Sequence, residues 1–128
     1  MLAKLFLVGC GGFVGASLRY LVSCLLGTWC VVAFPVATFF VNLLGCFLIG
    51  LFSVFIPGVW PEKPEYLLFA TTGVLGGFTT FSTFSLESLS LLQEGQYLIA
   101  GAYVLGTVAL CLVGVALGRL AGQAVMGA

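Results

Sequence analysis

Residues 73–87 read GVLGGFTTFSTFSLE, and they lie inside hydrophobic sequence (66–92) long enough to cross a bilayer. Yet the stretch is crowded with glycines, hydroxyls and evenly spaced phenylalanines. A segment that only sat in lipid would be simpler. In hydrocarbon every unpaired backbone group is expensive, so non-helical backbone at membrane depth persists only where protein covers it or where it lines a wet cavity. Gly76 and Gly77 invite such an interruption of the helix. The stretch therefore predicts a polar conduction or ion-binding element held inside a membrane protein.

Composition agrees. Of 128 residues 62% are hydrophobic and 6% charged, and mean hydropathy is +1.27. A soluble domain usually carries about 25% charged residues, so this chain cannot build a water-facing surface. Lys4, Arg19, Lys63 and Arg119 balance Glu62, Glu65, Glu87 and Glu94. With net charge zero there is no basic patch for nucleic acid. There is no histidine, and the five cysteines (10, 24, 30, 46, 111) show neither a C-x-x-C pair nor metal-ligand spacing. They read as small buried hydrophobes. Lys4 followed by an apolar run resembles a signal peptide. However, glycines 9, 11, 12 and 15 interrupt that run, and it continues past Arg19 to Leu26, so the segment reads as membrane-spanning.

Outward from the central stretch, three more apolar segments complete a single four-helix transmembrane domain over 1–128, with spans at 5–26, 35–56, 66–92 and 97–121. Glycines at one-turn spacing (11 with 15; 114 with 118 and 122) let helices approach closely. Arg19 lies deeper than a trivial end charge and reads either as a snorkelling cation or as an anion-attracting one at a vestibule mouth. Thr38, Asn42 and Gly45 share one face of the second span. Asn42, the chain's one asparagine, is either a packing hydrogen bond or pore-facing. Residues 57–65 read as a loop, from three prolines, a glycine and three charges. Trp60 and Tyr66 suit the membrane interface. Four short spans enclose little volume, and charge bias between the two sides is weak. Both point to an oligomer, most simply a dimer, and permit insertion in either direction.

In the third span Phe81 and Phe84 fall three apart, as do Thr80 and Thr83, with Glu87 four beyond Thr83. The stripes admit two readings. Ring edges carry partial positive charge and hydroxyls and amides donate hydrogen bonds, which together could strip water from a small anion without a fixed cation. Alternatively the rings only pack, and the hydroxyls bond back to carbonyls one turn earlier. A break across 76–79 would free carbonyl oxygens of the kind that bind alkali cations.

GGFVGASLRY (11–20), TFFVNLLG (38–45) and GVLGGFTTFSTFSLE (73–87) together resemble the bacterial fluoride channels known as Fluc or CrcB, and the resemblance covers essentially the whole chain. It implies an all-α membrane fold with a break in the third helix, assembled as an antiparallel, dual-topology homodimer in the bacterial plasma (inner) membrane. It further implies two passive fluoride pores that lower cytoplasmic fluoride, and one central structural Na⁺. On the matching positions, Gly76 and Thr79 would offer carbonyls to Na⁺, and Asn42, Phe81, Ser82, Thr83 and Phe84 would line the pore. Arg19 and Tyr103 match further family positions, and Glu87 falls in the family's F-S-x-E pattern.

Other classes fit less well. A small multidrug proton antiporter needs a carboxylate in its first span, whereas the first acid here is Glu62. An intramembrane enzyme would need a nucleophile–base pair that is not recognisable. A fluoride–proton antiporter titrating at Glu87 stays open on physical grounds.

Overall fold

A computed structural model of the chain describes residues 1–27 and 33–127. Part of the first connection, with Cys30, lies outside the described residues. Helix α1 spans Leu2–Gly27 and α2 spans Val36–Val59. The third crossing, Pro64–Gln93, is built from α3 (Pro64–Leu68), a π-helical stretch Phe69–Leu75, α4 (Gly76–Phe78) and α5 (Phe81–Gln93). Helix α6 spans Tyr97–Val125. All four crossings are long and apolar enough for a membrane. Even the shortest, of 24 residues, reaches roughly 36 Å at about 1.5 Å per residue.

Several boundaries move from their sequence positions. Helix α2 runs through Pro57 to Val59, so the loop expected at 57–65 starts later. Pro57 forfeits one donor near the helix end, while Trp60 N–H still reaches the Ile56 carbonyl at 2.8 Å. The turn at 94–96 is a Schellman cap: Gly95 has φ +76°, and the Gly95 and Gln96 amides bond Leu92 and Leu91. Only glycine takes that conformation without strain. Of the cysteines, Cys10 and Cys24 are exposed on the single chain and Cys46 and Cys111 half-buried. A small apolar side chain on a lipid-facing helix needs no burial in protein to leave water.

The third crossing changes partner midway. Its first half, through Phe78, packs on α1, and its second half, α5, packs on α6. Against α1 the backbones nearly touch: a Cβ on Gly15 would overlap the Val74 carbonyl, and one on Gly11 would lie 2.9 Å from the Gly73 Cα. The remaining pair, α2 with α6, shares the most extensive helix contact in the molecule. Glycine allows this one as well, since a Cβ on Gly118 would strike the Phe47 carbonyl. These two crossings fix the frame around residues 79–84.

Candidate permeation site

The local backbone at the centre of the third crossing differs from the sequence expectation. Gly76 is helical (φ −61°, ψ −36°), and the extended residues are Thr79 (ψ 158°) and Thr80 (φ −150°, ψ 122°). Neither glycine makes the turn itself; Gly77 serves close packing, since a Cβ there would lie 2.5 Å from the Gly12 carbonyl oxygen. Two donors from Thr79, its N–H and its hydroxyl, converge on the Leu75 carbonyl at 2.9 Å each, closing the helix end. Arg19 Nε donates to the Gly77 carbonyl at 3.0 Å, placing a cation where the helix dipole is negative. Thr80 then caps α5, its hydroxyl accepting from Thr83 N–H at 3.2 Å.

Asn42 holds the extended backbone in place. Its Nδ2 donates to the Thr80 carbonyl at 2.9 Å, and its Oδ1 accepts from Thr80 N–H at 2.8 Å. The amide thereby pairs with both the N–H and the C=O of one residue, as a strand neighbour would. One Nδ2 hydrogen is left over. Asn42 thus bonds a neighbouring element and also lines a cleft.

That cleft, about 330 Å³, is walled by Asn42 and Cys46 on α2, Thr79, Thr80, Phe81 and Phe84 on the third crossing, and Thr107 and Cys111 on α6. Phe81 and Phe84 lie with ring centroids 5.6 Å apart. Phe84 is buried, whereas Phe81 is 77% exposed on the single chain. Tyr103 is wholly buried and packs on Phe84 at 5.1 Å. Its hydroxyl donates to Glu87 Oε1 at 3.4 Å. Glu87, unassigned by spacing, is the acceptor at the far end of this line.

The hydroxyls separate into two groups. Ser85, Ser88 and Ser90 each donate to the carbonyl four residues earlier. By contrast Thr80 pairs with Thr83 at 3.1 Å and with Ser82 at 3.3 Å. The structure therefore gathers Asn42, Thr79, Phe81, Ser82, Thr83 and Phe84 around one interruption, with Gly76 on the cleft wall. Tyr103 and Glu87 lie one step further along α5 and α6, and Arg19 caps the opposite side, away from the cleft.

Sequence reasoning placed Thr80 only in a hydroxyl stripe and passed over Thr107. Thr80 is the residue Asn42 holds. Thr107 is 5% exposed, lines the cleft, and its hydroxyl is the one buried side-chain polar atom without a partner among the described residues. A spacing signal existed for it: Tyr103, Thr107 and Cys111 recur every four residues, as do Thr38, Asn42 and Cys46.

Four apolar crossings folded around a partly polar seam define a multi-pass membrane protein, with uncharged donors where the third crossing leaves helical geometry. Residues 6–119 match the family described as CrcB-like protein, Camphor Resistance (CrcB), and the chain belongs to that family. A relative from Ruminiclostridium cellulolyticum, named fluoride-specific ion channel FluC, is 47% identical over 88% of this chain and 87% of its own. FluC proteins of Elusimicrobium minutum (46% identical, 98% of both chains) and Rhizobium meliloti (44%, 97% and 96%) are similar across nearly the full length.

Proposed function

We propose that this chain forms a passive, fluoride-selective channel through which fluoride leaves the cell. Near-half identity over almost the full length to proteins named as fluoride-specific channels carries the reading. The chemistry around the interruption supports it. Fluoride is small and strongly hydrated, so a path must replace its water yet release it. The spare Asn42 N–H, the hydroxyls of Ser82 and Thr83 and the positive rims of Phe81 and Phe84 are uncharged partners of that kind. Hydrogen fluoride enters cells as a neutral acid and ionises inside. A passive anion path then lets the membrane potential expel it.

The functional unit in this reading is an antiparallel dimer of chains inserted both ways in the bacterial inner membrane, with two pores. Exposure of Phe81 beside an open cleft supports a second copy covering it. A structural Na⁺ at the centre is part of the same reading, and the carbonyls fit it. Thr80 N–H, which would bond Gly76 in an unbroken helix, goes to Asn42. Likewise Thr83 N–H, which would bond Thr79, goes to the Thr80 hydroxyl. Gly76 and Thr79 from two chains would offer four such oxygens to an alkali cation. Bound by these carbonyls, the ion would supply charge that ties the two interruptions together.

Purified protein in liposomes is expected to give potential-driven fluoride efflux with little chloride efflux. Efflux only with stoichiometric proton counter-movement would replace the channel with an antiporter. Removal of Na⁺ is expected to reduce efflux, and undiminished efflux without any alkali cation would eliminate the central site.

A further inference from the structure

Helices α2 and α6 run parallel, and each carries a polar ladder at four-residue intervals: Thr38, Asn42 and Cys46 on one, Tyr103, Thr107 and Cys111 on the other. The three rungs share the same residue offset. In the first rung Thr38 and Tyr103 are both buried. At the last rung Cys46 and Cys111 stand opposite each other, at the same residue offset that brings Gly50 against Val115 one turn further on. Both are free, half-buried and on the cleft wall. Just beyond them the helices are locked by Gly50 against Val115 and by Gly118 against Phe47, so the two sulfurs are held by rigid elements.

We infer that Cys46 and Cys111 form a two-thiol site for a soft, linearly coordinated d¹⁰ cation inside the cleft. Thiolate sulfur selects soft metals. Among the described residues no set of three or more His, Cys, Asp or Glu is gathered, so the tetrahedral cage zinc prefers cannot be built here. Two sulfurs facing each other instead match a two-coordinate ion. Charge then chooses within the class. A divalent ion on two thiolates is neutral, while a monovalent one leaves a net anion in a medium where unpaired charge is costly. Mercury(II) is the ion that satisfies both conditions. On binding, two S–H bonds break, two S–Hg bonds form and two protons leave to solvent, with no change of oxidation state. The bound ion fills the wall beside Asn42 and Thr107 and obstructs the path. That obstruction, though not the binding, rests on the cleft being the permeation route proposed above.

The test uses the full chain carrying Cys10→Ser, Cys24→Ser and Cys30→Ser, titrated with mercuric chloride. One metal per chain is expected, with thiolate-to-mercury ultraviolet absorption, disappearance of both titratable thiols and block of fluoride efflux reversed by excess dithiol. Adding Cys46→Ser or Cys111→Ser is expected to raise the half-blocking concentration roughly 100-fold, because the second bond is no longer intramolecular. Each variant is compared with its own metal-free rate. Two metals per chain, or an unchanged titration in either single-thiol variant, would overturn the site. One metal per chain with unimpaired efflux would keep the site and overturn the reading of the cleft as the route.

Discussion

Residues 80–83 and residues 85–90 both belong to the third crossing, and both are rich in hydroxyls. In the second region each serine is spent on its own helix, donating to the carbonyl one turn back. In the first, Thr80 has lost its helical neighbours, and its hydroxyl joins Ser82 and Thr83 while Asn42 takes its backbone N–H and C=O. Identical side chains thus act as helix filler or as a polar site, and the difference is whether a local carbonyl is available.

Replacing Asn42 tests this contrast most severely. Asn42→Ala leaves the Thr80 N–H and C=O unpaired at a nearly buried position. Each lost partner costs about 1–3 kcal/mol, so fluoride efflux is expected to fall by well over tenfold and the melting temperature to drop. Wild-type flux in that variant would show that the interruption holds itself open. Thr80→Val removes the cap on α5 and should cost about 1 kcal/mol, seen in thermal unfolding, while Thr80→Ser should recover most of it. Equal unfolding of the two variants would deny the hydroxyl its capping part.

Phe81→Ile probes the ring rather than the backbone. Phe81 is mostly exposed on one chain, so monomer packing is spared, and losing an edge contact worth about 0.5–1.5 kcal/mol should slow fluoride several-fold in the liposome assay. Unaltered flux would count against the ring as an ion ligand. The smallest effects belong to the second region. Ser85→Ala and Ser90→Ala should leave flux unchanged and stability within about 0.5 kcal/mol, and a marked loss of efflux in either would erase the distinction between the two regions.

Four crossings, the glycine stripes and the concentration of polar residues in the third span were legible from the chain, because hydropathy and spacing are local properties that lipid enforces on each segment separately. The four spans predicted at 5–26, 35–56, 66–92 and 97–121 became helices that extend beyond those limits by one to four residues at most ends. Gly76 and Gly77 were read as helix breakers, yet both are helical, and Gly77 is needed where its hydrogen faces the Gly12 carbonyl of α1, a demand that cannot be seen in one segment.

Sequence by itself determined that this protein lives in a membrane and that its third crossing carries uncharged donors and aromatic rings. Only tertiary structure decided which donors are kept from their own helix. Any helical serine or threonine can satisfy itself one turn back, so its freedom depends on what arrives from elsewhere. Here the decisive arrivals are Asn42 from α2 and the ladder of Tyr103, Thr107 and Cys111 from α6.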